Sequence, residues 1–427
     1  MGQFSLPMRT IVKRLLLVTI NVAVPLGLLA LAELTFHTVQ EYRLGPKSFL
    51  PEARMDRWTA WRNMPGYERI DIHHNSQGFR HDTELTVEKP PNTVRIFLLG
   101  GSAAYGREGF YTDLDPGWTR VYNRDLIDAH LQKMLQEHHP ERQWEVINAA
   151  TSEFRMHQHL ALIEAELLRY KPDLIIFMDG HNDMSGIIAS TTVPYDAYAQ
   201  TPHELEFYSA VYPRSLRSWL FINASWLRNN SALFAALQRR VRQHRREEAI
   251  GGVPDARGKP AHIPVLEEDL SPALRQRANE NLTQAGYYVQ MAERLQKMLS
   301  YEGVEAMFSL QPELILSDKP LTPVEARFVE HTKTIYGPYV TYMYENLRPR
   351  ISRDMTESSA RNHYVYVDLG DTFRDVKEKA FSDYCHLTPL ANQLIAQRLF
   401  STMSRELIAK LESGKRSLPM VTATGPH

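Results

Sequence analysis

Short apolar runs alternate with amphipathic stretches over most of the chain beyond residue 92. Five of these runs predict strands, at residues 94–99, 144–147, 173–178, 304–310 and 364–369. The amphipathic stretches predict helices at residues 119–137, 156–170, 282–301, 323–345 and 389–411. Strands that alternate with helices form a parallel sheet joined by right-handed crossovers. The pattern therefore predicts an α/β protein, a three-layer α/β/α sandwich with a five-stranded parallel sheet.

Three segments lie outside this alternation. Residues 186–275 carry clusters of Pro, Tyr and Trp and one helical stretch near 226–246, which predicts a mostly helical insertion that caps the sheet. Its aromatic residues either line a ligand groove or form the core of the insertion itself. Residues 37–92 predict a linker with a partly structured cap, so the predicted main domain is 93–412. Residues 413–427 predict a flexible tail.

The amino terminus carries a targeting signal. Three basic side chains between positions 9 and 14 precede an apolar stretch over 15–32, and a membrane span needs about 20 such residues. The basic flank indicates that the amino terminus stays in the cytoplasm while the body is exported. We therefore expect residues 1–36 to be a transmembrane anchor in the inner membrane. Small residues at 30 and 32 leave open a cleaved signal peptide and a secreted protein.

Composition excludes several classes of function. The 427-residue chain is 43% hydrophobic and 23% charged with a net charge of −1, so we expect no nucleic-acid partner. Cys385 is the only cysteine, which rules out an intramolecular disulfide. The paired histidines at 73–74, 138–139 and 157/159 lack companion acids at metal-ligand spacing, so we expect no metal and no cofactor.

Two polar clusters follow predicted strands directly. Ser102 comes after two glycines, which permit a tight backbone turn, and a serine becomes a nucleophile when a base removes its proton. Asn182 follows Gly180 and His181, and its amide can donate a hydrogen bond to a developing oxyanion. Each cluster alone also fits an ordinary turn. Because ligands collect at the carboxyl ends of parallel strands, we expect the two side chains to meet at one edge.

A third cluster lies in the loop before the last predicted helix. Asp383 and His386 are three residues apart, so the carboxylate can accept the imidazole Nδ1–H, fix its tautomer and stabilise the imidazolium. His386 then becomes the candidate base for Ser102, at an expected Nε2–Oγ distance of about 2.6–3.2 Å. An Asp-x-x-His pattern by itself is common, so the prediction of an active site depends on the three clusters together. We expect the Cys385 side chain to point away from the histidine.

In combination, these clusters resemble the SGNH (GDSL-type) hydrolase superfamily, in particular its membrane-anchored bacterial branch, over roughly residues 92–412. The resemblance implies a flavodoxin-like fold. It also implies that Ser102 is the block I nucleophile and Asn182 the block III oxyanion residue. Asp383 and His386 match the block V pair, with His386 as the general base.

The resemblance has two departures. Gly101 stands where the family often has aspartate, and Glu153 takes the place of a block II glycine whose main-chain N–H lines the oxyanion hole. Every residue type except proline has a main-chain N–H, so this donor is retained at Glu153. The expected oxyanion hole therefore consists of the N–H groups of Ser102 and Glu153 and the side chain of Asn182.

The resulting expectation is a serine esterase of the cell envelope that cleaves acyl or acetyl esters of a small molecule, lipid or glycan through an acyl-enzyme. Two alternatives remain at this stage. The same residues fit an O-acyltransferase that passes the acyl group to a polysaccharide hydroxyl. A carboxylate at Glu153, which is unfavourable beside a forming oxyanion, and the large insertion also fit a non-catalytic SGNH-fold scaffold module.

Overall fold

The computed structural model describes residues 8–44, 52–117, 120–189, 231, 233 and 264–413. The chain divides into two compact units, the first formed by Met1–Pro51, Glu68–Ile70 and Pro213–Gly251. The second unit is formed by Glu52–Tyr67, Asp71–Tyr212 and Gly252–His427. The predicted helical stretch near 226–246, most of the predicted insertion and the predicted tail beyond residue 413 lie outside the described residues.

The first unit contains the long helix α1, Met8–Leu44. This helix includes residues 8–36 of the predicted anchor and residues 37–44 of the predicted linker. Its segment Asn21–Val39 is long and apolar enough to cross a membrane, a property that a signal sequence shares. The Glu33 carboxylate accepts hydrogen bonds from the Ser231 hydroxyl at 2.8 Å and the Leu233 N–H at 3.1 Å.

Four short strands precede the main sheet. They are β1 Ala53–Asp56, β2 Ala60–Asn63, β3 Glu68–Arg69 and β4 Ile72–His73. β1 and β2 pair as an antiparallel hairpin within the second unit. This part of the predicted linker is therefore structured.

The second unit is built on a five-stranded sheet. Its strands are β5 Thr93–Gly100, β6 Gln143–Asn148, β7 Leu174–Asp179, β8 Glu305–Leu310 and β9 Val365–Asp368. All neighbours are parallel, and the order is β6-β5-β7-β8-β9. The predicted parallel sheet is confirmed, in the strand order of flavodoxin-like folds. β5 and β7 are buried along their whole length, as strands covered on both faces are.

Helices cover both faces of this sheet. In chain order they are α2 Ser102–Tyr105, α3 Ile127–His138, α4 Met156–Ala165, α5 His181–Ala189, α6 Pro272–Leu282, α7 Ala285–Tyr301, α8 Pro323–Asn362, α9 Pro389–Glu406 and α10 Ile408–Ser413. α3 packs on α9, and α4 packs on α7. The step from β5 to β6 runs along the sheet in the opposite direction to the later steps. Right-handed crossovers therefore put these two helix pairs on opposite faces.

The helices predicted at 119–137 and 156–170 are each wrong in part. The helix predicted at 119–137 begins only at Ile127, because the preceding chain forms a 3-10 turn at Asn123–Asp125. Val121 is buried there outside any helix, and its carbonyl accepts a hydrogen bond from Arg80 Nη2 at 2.6 Å. The helix predicted at 156–170 is interrupted at Glu166, whose carboxylate forms an ion pair with Arg62.

The helix predicted at 323–345 is longer than its sequence pattern indicates. α8 continues to Asn362 through a kink at Gly337, whose φ of 67° is not helical. Pro338 follows the kink and lacks an N–H for the preceding turn. The kink shifts the phase of the apolar positions, so one helical period does not describe both halves. Likewise, the helix predicted from residue 282 begins at Ala285, after the separate helix α6.

Candidate active site

Ser102 lies at the junction between β5 and α2. Gly100 ends the strand with a φ of 156°, and a Cβ there would overlap the Met178 carbonyl oxygen of β7. β5 and β7 lie side by side at the point where the strand order reverses, and such switch points are where α/β sheets bind ligands. The half-buried Ser102 therefore lies at the carboxyl end of β5, on the edge of the sheet where ligands are expected to bind.

Asp383 and His386 reach the same point from the other end of the chain. His386 Nε2 lies 2.8 Å from Ser102 Oγ, across 284 positions of sequence. On the other side of the ring, His386 Nδ1 lies 2.7 Å from Asp383 Oδ2. Both distances are hydrogen bonds, so the structure brings the three predicted side chains together in one continuous chain of hydrogen bonds.

The Asp383 carboxylate is held by main-chain donors. Oδ1 accepts hydrogen bonds from the N–H groups of Cys385 at 2.9 Å and His386 at 2.8 Å. Oδ2 accepts the N–H of Phe110 at 2.9 Å in addition to the imidazole. Burial alone would raise the pKa of this carboxyl, but the charge and hydrogen bond of His386 and these N–H donors outweigh it and lower the pKa to about 2. Asp383 is therefore ionised throughout the neutral range.

A buried ion pair fixes the loop that carries Asp383 and His386. Glu325, near the start of α8, and Lys319 are both fully buried and lie 2.7 Å apart. The second oxygen of Glu325 accepts the N–H groups of Ala380 at 2.9 Å and Phe381 at 3.2 Å. Because these two residues lie three and two positions before Asp383, Glu325 links the position of the Asp-x-x-His segment to the first turn of α8.

The Asn182 amide lies close to the Ser102 loop. Its Nδ2 donates a hydrogen bond to the Phe154 carbonyl at 2.9 Å, and an amide nitrogen carries a second N–H. A Cβ on Gly101 would overlap this nitrogen. Any side chain at position 101 would therefore displace the Asn182 amide, which gives a physical reason for glycine here.

Glu153 has a backbone conformation that is typical of glycine. Its φ is 68°, in the left-handed region that favours glycine, and its side chain is exposed. The main chain therefore turns at Glu153 as a glycine would turn, with the carboxylate on the solvent side. The left-handed conformation costs a residue with a Cβ about 1 kcal/mol or more.

Replacing Glu153 with glycine is expected to stabilise the protein. The free energy of unfolding should rise by about 1 kcal/mol because the strain at the Cβ is removed. Turnover of a short acyl ester should change little, since the main-chain N–H remains. Glu153→Gln is the matched control, because it removes the charge but keeps the Cβ. A drop in turnover that both variants share would mean that the carboxylate itself takes part in the reaction.

A second set of supporting residues comes from the predicted linker. Arg80 is buried and donates to the carbonyls of Tyr105 at 3.0 Å and Gly106 at 2.8 Å, which end the short helix of Ser102. His74 Nε2 lies 2.7 Å from the Tyr105 hydroxyl, and burial lowers the pKa of His74 to about 4. Neither Arg80 nor Glu325 was identified from the sequence as part of the site, because the main-chain groups that they bind near the site are distant in sequence.

The expectation for Cys385 is wrong. Its Sγ lies 3.7 Å from His386 Nδ1 and does not point away. Burial raises the pKa of this thiol well above its ordinary value, so it is a neutral group beside the imidazole. Asp383, Cys385 and His386 are close enough to be considered as metal ligands. In this arrangement Asp383 Oδ2 and His386 Nδ1 are hydrogen-bonded to each other at 2.7 Å.

Comparisons with known proteins give distant likenesses. No protein-family model matches the sequence, and no curated protein matches it. Among solved structures, an acetylxylan esterase from Geobacillus stearothermophilus is similar with 11% identity and a TM-score of 0.34, covering 73% of this chain and 94% of that one. A protein described as a GDSL-like lipase from Parabacteroides merdae has 10% identity and a TM-score of 0.34, covering 73% and 95%. At these values no activity transfers, and the chemistry rests on the geometry above.

Proposed function

We propose that this chain is a serine ester hydrolase of the SGNH type, with Ser102 as nucleophile, His386 as general base and Asp383 as the residue that orients the imidazole. One observation carries the proposal: the Ser102 hydroxyl lies 2.8 Å from His386 Nε2, to which it can donate, and His386 Nδ1 lies 2.7 Å from Asp383 Oδ2, which accepts its N–H. A serine hydroxyl beside an oriented imidazole is the arrangement that activates a weak nucleophile.

The reaction follows from these contacts. Ser102 Oγ attacks the ester carbonyl while His386 Nε2 takes its proton. The tetrahedral oxyanion is held by the N–H groups of Ser102 and Glu153 and by the Asn182 amide. His386 then gives the proton to the leaving alcohol, and an acyl-enzyme remains on Ser102. Water, deprotonated by His386, releases the acid and restores the serine.

The proposed setting is the cell envelope. α1 contains a segment long and apolar enough to span a bilayer, with three basic side chains before it. By the bias of positive charge toward the cytoplasm, the second unit would lie on the extracytoplasmic side. A cleaved signal sequence is the alternative, and it gives a shorter mature chain.

A fluorophosphonate probe tests the proposal. The full chain should gain one covalent adduct, mapped by mass spectrometry to the peptide of Ser102, and excess acyl ester should slow the labelling. His386→Gln should not be labelled, because the hydroxyl then has no base. The intact mass also shows whether the amino-terminal segment is retained. Absence of the adduct, or an adduct on another serine, would contradict the enzyme proposal and favour a scaffold module.

The same residues would serve an O-acyltransferase, and product analysis separates the two reactions. With an acyl ester and a polysaccharide both present, a hydrolase should release free acid at a rate that the polysaccharide does not change. Acyl-polysaccharide formed faster than free acid would instead identify a transferase.

A further inference from the structure

The three donors of the proposed oxyanion hole lie on three separate segments of the second unit. Ser102 begins α2, Glu153 lies in the turn before α4, and Asn182 lies in the first turn of α5. An oxyanion hole works only when its donors converge on one point, because each must lie about 2.7–3.1 Å from the oxyanion. The turn of Glu153 must therefore be fixed relative to α5.

One contact between this turn and α5 is made by the Asn182 side chain. The Phe154 N–H donates to the Thr151 carbonyl at 3.2 Å, which closes the turn around Glu153. At the end of the turn, the Phe154 carbonyl accepts the Asn182 amide at 2.9 Å. The amide that would donate to the oxyanion therefore also contacts the segment that carries the Glu153 N–H.

A second contact joins the same two segments through Asp183, the next residue of α5. Its Oδ1 accepts the main-chain N–H of Met156 at 3.2 Å. Met156 is the first residue of α4, and the first N–H of a helix has no acceptor within that helix. Asp183 supplies this acceptor, and both residues are buried. The bond therefore ties the start of α4, three residues after Glu153, to the first turn of α5.

The surroundings of Asp183 favour a neutral acceptor. Burial, followed by the negative charge of Asp179, raises the pKa of Asp183 to about 7, although the charges of Arg155 and His159 and the Met156 N–H act in the opposite direction. A neutral carboxyl still accepts a hydrogen bond through its carbonyl oxygen. Asparagine at this position would therefore preserve both the size and the acceptor of the neutral side chain.

We propose that Asp183 is a positioning residue of the oxyanion hole, which aligns the Glu153 N–H with the Asn182 amide through its hydrogen bond to the Met156 N–H. The inference rests on the proposed function, which supplies the reacting groups. It adds to that function a residue that acts without touching the substrate. Removing the bond should lower kcat and leave KM nearly unchanged, because the oxyanion exists only on the way through the transition state.

The bond can be removed from either side. Asp183→Leu removes the acceptor, and Met156→Pro removes the donor, since proline has no N–H. Proline is accepted at the first position of a helix, and Arg155 already has the extended conformation that precedes a proline, with φ −127° and ψ 166°. Each variant has a matched control. Asp183→Asn keeps an oxygen acceptor, and Met156→Ala removes the methionine side chain but keeps the N–H.

Asp183→Leu and Met156→Pro should each lower kcat on p-nitrophenyl acetate by about 10- to 100-fold, with KM within about threefold of wild type. A misaligned donor loses part of the roughly 10²- to 10³-fold that a deleted donor costs. Both controls should keep kcat within about threefold of wild type. The double variant should be no slower than the slower single variant, because both changes remove the same hydrogen bond. Circular dichroism on the same samples confirms the fold.

An alkylboronic acid measures the same alignment without turnover, because its tetrahedral adduct with a serine resembles the transition state. Its inhibition constant should rise in Asp183→Leu and Met156→Pro by about the factor lost in kcat and stay unchanged in Asp183→Asn. If Asp183→Leu does not fold, Met156→Pro against Met156→Ala makes the same comparison.

Equal losses in Asp183→Leu and Asp183→Asn would overturn the inference, as would losses that multiply in the double variant or a change confined to KM. Unchanged kcat in both Asp183→Leu and Met156→Pro, in a wild type that is active and labelled by fluorophosphonate at Ser102, would contradict the role of Asp183 alone. A wild type that neither turns over the ester nor gains the Ser102 adduct would contradict the proposed function instead.

Discussion

Replacing Ser102 with alanine is expected to reduce kcat on short acyl esters by about 10⁶-fold, the loss that follows when the nucleophile of a cooperating serine–histidine pair is removed. The Ser102 hydroxyl lies 2.8 Å from His386 Nε2. Ser102 is also the first residue of α2, a position that alanine accepts. The fold should therefore remain, and any residual rate would come from binding and the oxyanion hole. Steady-state kinetics with circular dichroism on the same samples measures both.

The control for this variant is Ser401→Ala. Ser401 lies exposed on α9, and its hydroxyl donates to the carbonyl of Gln397 in the preceding turn, at 2.8 Å. Its replacement should change neither turnover nor probe labelling. If Ser102→Ala kept turnover within about tenfold of wild type, the acyl-enzyme mechanism would be wrong, because a true nucleophile cannot be removed at so small a cost.

Asp383→Asn is expected to lower kcat by about 10⁴-fold while keeping most of the local geometry. The amide oxygen can take over the role of Oδ1, which accepts the N–H groups of Cys385 and His386. The amide nitrogen would then face His386 Nδ1, where it favours the tautomer that has its proton on Nε2. In that tautomer the imidazole has no lone pair for the Ser102 proton. Asp371→Asn, at an exposed acid, is the control and should leave kcat unchanged.

The same variant should alter stability in acid. Because the folded pKa of Asp383, about 2, lies below the unfolded value of about 3.9, ionised Asp383 stabilises the fold above pH about 4. That contribution, about 2–3 kcal/mol, is lost as the pH falls from about 4 to about 2. Denaturant unfolding at several pH values should show this decline in wild type and a smaller one in Asp383→Asn. Identical pH profiles would mean that Asp383 is not ionised in the folded state.

Local patterns were enough to predict the sheet and the candidate triad. β5 and β7 were predicted correctly because both are continuous apolar runs. The polar residues that follow them lie at the same edge in any parallel sheet. Asp383 and His386 lie within one loop, so their contact needs only a short-range spacing. By contrast, the second half of α8 was not predicted from the sequence. The kink at Gly337 shifts its apolar positions out of phase with those of the first half.

The sequence by itself determined the fold class, the five parallel strands and the identities of the side chains that meet at Ser102. Only the tertiary structure decided what holds them: Glu325 anchors the loop of Asp383 and His386 across 55 positions, and Arg80 supports α2. The physical reason is that apolar periodicity specifies which face of an element is buried, whereas the partner of a buried polar or aromatic group is chosen by how distant elements pack together.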